Sequence, residues 1–284
     1  MSPLLPEALE TFLDAILAED IGSGDITSAA VIPEGASLKA AMTARQDLTV
    51  AGLPIAASIF KRLDRDAQTE MPVQDGAEIA AGDVMMRVAG NARALLSGER
   101  AALNIVQHLS GIATLTRQYV EAIAGTDATL LDTRKTTPLL RQLEKYATRM
   151  GGAQNHRMGL YDAILIKDNH IAVAKGLAGS GVVEAIAAAK AASDLAVEIE
   201  CDTLDQVQDA LQAGADRLLL DNMSLEDLRN AVQLVGGKVK LEASGGVTLE
   251  TIRAIAETGV NYISVGRITQ SAPAVDIGLD YLSE

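Results

Sequence analysis

The segment "RLLLDNMSLEDLRNAVQLVGGKVKLEASGG", residues 217–246, decides the fold. Its apolar run Leu218–Leu220 predicts a buried strand. Ser224, with Asp227 three residues later, then predicts the start of a helix, and Gly236 falls where that helix would end. A second strand pattern, "VKLEAS", follows directly. A strand, a helix and another strand in this order are typical of a parallel sheet with helical crossovers.

The same unit recurs through the second half of the chain. The candidate strands are "TLLDTRK", "AILIKDN", "AVEIECD", "RLLLDN", "VKLEASGG" and "YISVG". The ends near Asp202, Asp221, Ser244 and Gly266 are 19, 23 and 22 residues apart, a spacing that fits successive strand–helix units. Six strands predict an α/β fold that is a β/α barrel or an open variant, because a closed barrel of this kind needs eight.

The first half has a different pattern, which predicts an α+β domain. Strands are expected in "GASLKAAMTARQDLTVAGL" and "DGAEIAAGDVMMRVAG", which contain glycine turns. Helices are expected in "PIAASIFKRLD" and in a long stretch from Ser97 to Gly125, with Gly111 as a candidate break. We predict an N-terminal domain over residues 1–112, a barrel domain over 113–270, and a C-terminal segment, 271–284, that packs back on the first domain.

Composition excludes several classes of function. The 284 residues have a formal net charge of −14 and only 2% aromatic residues, which argues against nucleic acids and anionic membranes as partners. No apolar run approaches the ~18 residues of a membrane span, and no basic region precedes the first apolar residues, so no signal peptide is expected. The lone cysteine, Cys201, allows no disulfide within the chain and favours a reducing, cytoplasmic location.

Charge is unevenly distributed along this acidic chain. Between Arg134 and Lys167 there are seven basic and only two acidic residues. A local cationic patch on an acidic protein indicates a small anionic ligand rather than a polyanion. The cations of this patch that stand at predicted strand ends or beside them are Arg134, Lys135, Arg157 and Lys167, with His156 next to Arg157. Several fixed cations suit a substrate with more than one carboxylate.

The remaining strand ends carry two further kinds of chemistry, and functional groups of parallel barrels gather at these ends. Glu200 and Asp221 are carboxylates on neighbouring strands, suited to ribose hydroxyls or Mg²⁺. The small-residue turns at 244–246 and at Gly266 expose backbone N–H groups, which commonly hold a phosphate. An acid, a sugar, a metal and a phosphate together indicate transfer of a phosphoribosyl group.

Each of these features has a simpler interpretation. The Arg134–Lys135 pair could be a solvated surface step, Glu200 and Asp221 could be structural carboxylates, and the glycines could form only a tight turn. His156 could be a histidine satisfied by backbone groups, and we expect His108 and His170 to be structural.

The sequence as a whole resembles the quinolinate phosphoribosyltransferase family. The resemblance runs from "EDIGSGDITS" to the C-terminus and includes "SGERAALNIVQHLSGIATLT", "DTRKTTP", "EKYATRMGGAQNHRMGLYDAILIKDNH", "VEIECDTLDQ", "LLLDNMS", "LEASGGVTLETIRAIAETGVNYISVG" and "SAPAVDIGLD". It implies an open, incomplete β/α barrel with an N-terminal α+β domain, in a homodimer or larger homo-oligomer. It also implies that quinolinate reacts with phosphoribosyl pyrophosphate, with Mg²⁺ as the cofactor. The products are nicotinate mononucleotide, carbon dioxide and pyrophosphate, on the de novo route to NAD.

The resemblance also assigns roles to individual residues. Quinolinate would be held by Thr133, Arg134, Lys135, His156, Arg157 and Lys167, with Arg100 reaching in from a partner subunit. Glu200 and Asp221 would contact the ribose hydroxyls and the metal, and together with Lys135 would be the catalytic residues. Ser244, Gly245, Gly246, Val265 and Gly266 would take the 5-phosphate. The chain departs from the family pattern "GALTHSAP", for it reads "GRITQSAP" with Arg267 and Gln270.

Other functions remain compatible with the sequence. A paralogue of the same fold, associated with molybdenum-transport operons, would share most motifs, although Lys167 in "LIKDNH" favours the dicarboxylate substrate. A catalytically silent nucleotide-binding regulator would not need a separate dicarboxylate pocket. A flavin or sugar-phosphate barrel enzyme would explain the phosphate turn but not the four cations.

Overall fold

The computed structural model describes residues 6–175 and 181–282. They divide into two compact units. Within the described part of the chain, unit 1 comprises residues 6–117, 137–152 and 268–282, and unit 2 comprises residues 118–136, 153–175 and 181–267.

Unit 1 is a mixture of helices and antiparallel strands. Its helices are α1 (Pro6–Ile21), α2 (Ile26–Val31), α3 (Leu53–Leu63), most of α4 (Ala92–Ala122) and α5 (Arg141–Met150). Its strands are β1 (Ser37–Ala44), β2 (Leu48–Thr49), β3 (Gln68–Glu70), β4 (Glu78–Ile79), β5 (Val84–Asn91) and, from the end of the chain, β12 (Ile277–Tyr281). The main sheet has the order β12-β1-β5-β3, and β2 pairs separately with β4. The strands and helices predicted from the first half are therefore present.

The C-terminal strand is an integral part of this sheet. β12 runs antiparallel to β1, from Ala40 opposite Tyr281 to Ala44 opposite Ile277. On its other side β1 pairs with β5, so β1 is a central strand. Met42 and Ala44 of β1 are fully buried in the core of unit 1.

Helix α5 differs from the predicted domain division, because its sequence position lies inside the stretch assigned to the barrel. Residues 137–152 instead cluster with unit 1. The reason is packing, since Leu143 and Ala147 belong to the hydrophobic core of unit 1. Polar contacts of the same helix agree: His108 Nε2 lies 2.9 Å from Glu144 Oε1, and the Tyr146 hydroxyl donates to Asp75 Oδ2 at 2.7 Å.

Helix α4 continues through Gly111, so the predicted break there is wrong. Position 111 is a glycine for a different reason. A Cβ at position 111 would overlap the carbonyl oxygen of Pro273 and lie 3.1 Å from Ala274 Cα. The C-terminal segment passes so close to the helix at this point that only glycine leaves room for its backbone.

Unit 2 contains the six strands expected from the sequence, all parallel. They are β6 (Thr129–Leu131), β7 (Ile164–Ile166), β8 (Val197–Cys201), β9 (Arg217–Asp221), β10 (Lys240–Ser244) and β11 (Tyr262–Ser264). The connecting helices are α6 (Asp168–Lys175), α7 (Val182–Ala192), α8 (Leu204–Gln212), α9 (Leu225–Val235) and α10 (Leu249–Ala256); α11 (Arg267–Gln270) follows β11, and all of it but Arg267 belongs to unit 1. The sheet order is β6-β11-β10-β9-β8-β7, with no pairing between β6 and β7 among the described residues. The sheet is thus open, as an incomplete barrel requires.

Alternation along these strands separates an apolar face from a charged one. In β8, Ile199 and Cys201 are fully buried, and Glu198 and Glu200 point to the opposite face. In β9, Leu218 and Leu220 are likewise fully buried, and Asp221 is on the other face. The helices cover the apolar side, so the charged side chains are directed to the inner face of the open barrel.

The described residues contain no helix that is both long enough and apolar enough to cross a membrane.

Candidate active site

The carboxyl ends of β8, β9 and β10 meet at one edge of the parallel sheet. Ser244 is paired in register with Asp221, and Glu200 with Leu219 on the same central strand. Asp221 and Ser244 are therefore direct neighbours, and Glu200 is on the adjoining strand. This confirms that the strand ends converge.

Three carboxylates form an acidic group at this edge. Single oxygen atoms of Glu200, Asp202 and Asp221 all lie within 4.8 Å of one another. Burial raises the pKa of Glu200; the Lys167 ammonium opposes this shift, and the Asp221 carboxylate adds to it. Burial, Asp221 and Asp168 also raise the pKa of Asp202. Carboxylates held this close repel one another, so a bound cation would stabilise the group. Lys167 supplies part of this positive charge, because its Nζ lies 3.3 Å from Glu200 Oε2.

A second group, of cations, is assembled at the end of β6. The fully buried Asp132 accepts the His156 N–H at 2.8 Å and the Asn155 Nδ2–H at 2.5 Å, which joins the chain after β6 to the segment before β7. Arg134 and Arg157 are held on these two segments. Burial, and next to it the charge of Arg134, lowers the pKa of Arg157, so the two guanidinium groups are close enough to repel each other. The Arg157 Nη1–H donates to the Ala163 carbonyl at 3.1 Å.

Lys135 crosses the turn after β11. A Cβ on Gly266 would lie 2.7 Å from Lys135 Cδ and 3.5 Å from Thr133 Oγ1. Thr133 Oγ1 also accepts the Lys135 N–H at 3.0 Å. The preceding Val265 is buried and pairs with Leu131 through its N–H. The sequence-predicted residues Thr133, Lys135 and Gly266 are thus brought together.

The turn at residues 244–246 has the left-handed backbone that its glycines allow. Gly245 has φ 96° and Gly246 has φ 59°. Asn222, with φ 53°, packs against this turn: a Cβ on Gly245 would overlap the Asn222 Oδ1. The Asn222 N–H donates to the Ser244 carbonyl at 2.9 Å, and its Nδ2–H donates to Asp221 Oδ2 at 2.5 Å. Asn222 therefore links Asp221 of the acidic group to the glycine turn.

His156 does not face the cations. Its Nε2 lies 3.1 Å from Glu198 Oε2 and 3.5 Å from Glu242 Oε2, inside unit 2. Arg217 Nη1 lies 3.4 Å from the same Glu242 oxygen, and its guanidinium stacks 4.5 Å from the centre of the Tyr262 ring. Burial lowers the pKa of His156, but the hydrogen bonds and charges of the two glutamates outweigh it and raise the pKa to about 9.

Two predicted arginines remain to be placed. Arg100 belongs to unit 1, where it is exposed on α4. Arg267 is exposed at the start of α11; hydrogen bonds from Thr248 and the backbone lower the pKa of Glu250 on α10, and the charge of Arg267 adds to this shift. Glu250 comes shortly after the glycine turn, so Arg267 adds positive charge near that turn.

Sequence reasoning did not identify several residues that organise the site. These are Asp132, Asn155, Glu198 and Glu242, whereas Asp202 and Asn222 are expected at the strand ends but receive no role. A signal existed for two of them, because Asp132 and Asn222 are polar residues that directly follow apolar strand cores. Glu198 and Glu242 carry no such signal, since a charged residue that alternates with apolar ones usually faces solvent.

Comparison with known proteins identifies the family. The models "Quinolinate phosphoribosyl transferase, N-terminal domain" and "Quinolinate phosphoribosyl transferase, C-terminal domain" match residues 25–110 and 112–280. A relative from Bacillus subtilis, "Probable nicotinate-nucleotide pyrophosphorylase [carboxylating]", is 43% identical over 96% of this chain and 93% of its own. A nicotinate-nucleotide pyrophosphorylase [carboxylating] from Mycobacterium leprae is 42% identical over 93% and 94%. The crystal structure of NadC from Streptococcus pyogenes superposes with a TM-score of 0.93, at 39% identity over 100% of both chains. The chain belongs to the quinolinate phosphoribosyltransferase family.

Proposed function

We propose that the protein transfers the phosphoribosyl group of phosphoribosyl pyrophosphate to quinolinate and decarboxylates it. The products are nicotinate mononucleotide, carbon dioxide and pyrophosphate, in de novo NAD biosynthesis. The observation that carries the proposal is the pair Arg134 and Arg157, two cations on segments that Asp132 joins, where burial and then the charge of Arg134 lower the pKa of Arg157. A bound dicarboxylate would relieve that repulsion, and the acidic group stands on the same sheet to receive the sugar.

Different side chains are assigned to the two substrates. We assign quinolinate to Arg134, Arg157 and Lys167, with Thr133 and Lys135 beside them. The ribose hydroxyls are assigned to Glu200 and Asp221, and the 5-phosphate to the turns that contain Ser244, Gly245, Gly246, Val265 and Gly266. Arg267 adds positive charge near this phosphate position.

Catalysis in this proposal is positioning and electrostatics. The C1–O bond to pyrophosphate breaks, and positive charge that develops at C1 is stabilised by Glu200 and Asp221. The pyridine nitrogen then forms the new C–N bond. The positive pyridinium nitrogen stabilises the electron pair that remains on C2 when carbon dioxide departs, and C2 then takes up a proton from water. We assign to Lys135, whose side chain packs against Gly266, the role of offsetting the negative charge of the departing pyrophosphate.

A magnesium ion fits the acidic group of Glu200, Asp202 and Asp221. The three side chains offer only carboxylate oxygens, the ligand type that Mg²⁺ prefers, and burial, together with the charge of Asp221, raises the pKa of Glu200 and Asp202. When bound there with the substrate, the ion would supply charge stabilisation for the pyrophosphate oxygens.

We further propose that the enzyme is a cytoplasmic homodimer or larger homo-oligomer in which Arg100 serves the partner's site. Arg100 lies one turn after Leu96, which is exposed on the same helix. Helix α2, held to α4 through Asp25 Oδ2 and Ser97 Oγ at 3.0 Å, exposes Ile26 and Val31 at 83% and 67%. Exposed apolar side chains on two helices that are held together favour a contact between subunits over solvent.

A turnover assay tests the reaction itself. Purified protein is mixed with carboxyl-labelled quinolinate, phosphoribosyl pyrophosphate and Mg²⁺, and released carbon dioxide is counted alongside nicotinate mononucleotide. We expect equal amounts of both, lost when any one component is omitted. Binding of phosphoribosyl pyrophosphate without turnover would favour a silent nucleotide-binding protein instead.

Mixed subunits test the shared site. Arg100→Ala and Lys167→Ala proteins should each be inactive and should regain activity when unfolded, mixed and reassembled, because one site per mixed dimer is then intact. The expected recovery is about one quarter of wild-type activity per subunit, since random mixing gives half mixed dimers with one good site of two. Lack of recovery in dimers verified to be mixed by mass would refute a site built from two subunits.

Asn222→Ala tests the link between the acidic group and the phosphate turn. Loss of its hydrogen bond to Asp221 should raise the KM for phosphoribosyl pyrophosphate about tenfold, since a hydrogen bond to a charged group contributes roughly 1.5–3 kcal/mol. The KM for quinolinate should change much less, because Asn222 contacts none of the cations through any bond described above. Asn230→Ala, on the exposed face of α9, is the control. Equal rises in both KM values would contradict the assignment.

A further inference from the structure

Lys167 connects the two groups of the candidate site. It directly follows β7, whose last residue Ile166 pairs with Ile199 of β8, and its Nζ lies 3.3 Å from Glu200 Oε2. The proposed function assigns Lys167 to quinolinate, and Glu200 to the ribose and Mg²⁺. The protein without substrates therefore joins, as one ion pair, two side chains that serve different ligands.

The two partners of this ion pair differ in their surroundings. The side chain of Glu200 is only 11% exposed, whereas that of Lys167 is 48% exposed. Single carboxylate oxygens of Glu200, Asp202 and Asp221 also lie within 4.8 Å of one another. Removal of the ammonium would leave Glu200 largely shielded from water beside two like charges, which is unfavourable unless another cation takes its place. Glu200 therefore holds Lys167 until such a cation is bound.

Release of Lys167 requires movement of its side chain alone. The Lys167 carbonyl accepts the N–H groups of His170 at 2.8 Å and Ile171 at 3.0 Å, which fixes the backbone at the start of α6. The four-carbon side chain above it is flexible and half exposed, so no packed core restrains it.

The cation group is within reach of the released ammonium. The Arg157 guanidinium donates to the carbonyl of Ala163, the residue before β7, and β7 has only three residues. Ala163 and Lys167 are therefore about 13 Å apart along the strand. A lysine side chain and a ligand the size of a pyridine dicarboxylate together span that distance.

We propose that Lys167 is exchanged between Glu200 and quinolinate, so that a divalent cation at the acidic group strengthens the binding of the dicarboxylate. The bound cation replaces the ammonium at Glu200, and Lys167 becomes available to a substrate carboxylate. Because coupling between two sites is reciprocal, quinolinate strengthens the binding of the cation by the same factor. This inference rests on the proposed function, which supplies the two ligands.

Calorimetric titration with quinolinate tests the exchange without turnover. In the wild-type protein, Mg²⁺ should lower the quinolinate Kd about fivefold, the lower end of the usual coupling between sites, because the ion pair is partly exposed. Sodium chloride at equal ionic strength is the control for screening of charge. A quinolinate Kd that does not respond to Mg²⁺ would overturn the proposal.

Three variants separate the exchange from a simple attraction of the dianion by Mg²⁺. Glu200→Gln removes the partner charge of Lys167 and keeps its shape, so without Mg²⁺ it should bind quinolinate about fivefold more tightly than wild type. Asp202→Asn is the matched control, since it removes a charge of the same group but leaves the ion pair, and its effect should be much smaller. Lys167→Ala should bind quinolinate weakly, with a Kd that Mg²⁺ does not change. Equal tightening in E200Q and D202N, or no tightening in E200Q, would contradict the exchange, as would a Mg²⁺ response of wild-type size in K167A.

Binding of Mg²⁺ alone provides a test that does not involve quinolinate. Because the ammonium competes with the metal ion for Glu200, Lys167→Ala should bind Mg²⁺ about fivefold more tightly than wild type. No gain in Mg²⁺ affinity would overturn the exchange and leave the proposed function intact. Wild-type protein that bound no quinolinate would instead refute the proposed function, whatever the result with Mg²⁺.

Discussion

Arg157→Ala should lower kcat/KM for quinolinate by about 30-fold or more with little change in the thermal stability of the protein. Removal of one partner from a desolvated charge pair costs roughly 2–5 kcal/mol of binding, and every 1.4 kcal/mol is tenfold. Folding gains little from this guanidinium, because burial and Arg134 both lower its pKa and it donates a hydrogen bond to the neutral Ala163 carbonyl rather than to a carboxylate. Arg157 is therefore expected to strengthen the binding of quinolinate and to contribute little to the stability of the protein without substrate.

Steady-state kinetics with each substrate varied and a melting curve check this expectation. The KM for quinolinate should rise, and the melting temperature should fall by no more than about 3 °C. Arg157→Lys should recover only part of the affinity, because an ammonium cannot form the forked contact of a guanidinium. Arg229→Ala, on the exposed face of α9, is the control for loss of one positive charge. Unchanged quinolinate kinetics in Arg157→Ala would refute the assignment of the dicarboxylate to this cation pair.

Gly111→Ala should destabilise unit 1 by about 3 kcal/mol, a large effect for a single methyl group. The new Cβ would overlap the Pro273 carbonyl oxygen and approach Ala274 Cα to 3.1 Å. These are backbone atoms, so no change of rotamer can relieve the overlap. The gain in helix propensity from alanine, about 1 kcal/mol, opposes the loss but does not cancel it.

Denaturant unfolding followed by circular dichroism measures this change. Gly98→Ala in the same helix is a matched control, since its nearest neighbour would be Leu63 Cδ1 at 2.9 Å, the movable end of a flexible side chain. The control should lie within about 1 kcal/mol of wild type, because propensity and contact oppose each other. Equal stability of the two variants would show that the C-terminal segment can move away from α4 at little cost.

The architecture of unit 2 was predictable because its signals are local. Each of the six strands is a short apolar run that ends in polar residues, and helix starts such as Thr203 and Ser224 are marked in the sequence; both cap the helices expected of them. The position of α5 was not predictable, for its apolar residues Leu143 and Ala147 show only that one face is buried, not which core buries it. The continuous course of α4 through Gly111 depended on a segment more than 150 residues away.

In the candidate site, too, features with local sequence signals were predictable and features that depend on distant residues were not. That the strand ends would gather was foreseeable from parallel topology, and Glu200, Asp221 and Ser244 lie there as expected. The direction of His156 was not, because its partners Glu198 and Glu242 are separated from it by a large part of the chain and alternate with apolar residues as solvent-facing side chains do. A histidine beside an arginine in a cationic stretch indicates a ligand unless those partners are known.

The pairing of β12 with β1 has a consequence for how the protein is made. β12, the strand that completes the sheet of unit 1, follows β1 by more than 230 residues, so this sheet cannot close until those residues have been synthesised. Until then β1 has an open edge on the side that β12 will occupy, with its row of unpaired backbone groups. Most domains fold as soon as their own residues emerge, from the N-terminus onward. Here β1 must wait for a strand more than 230 residues further along the chain, and nascent chains that stall before residue 277 should need a chaperone or aggregate.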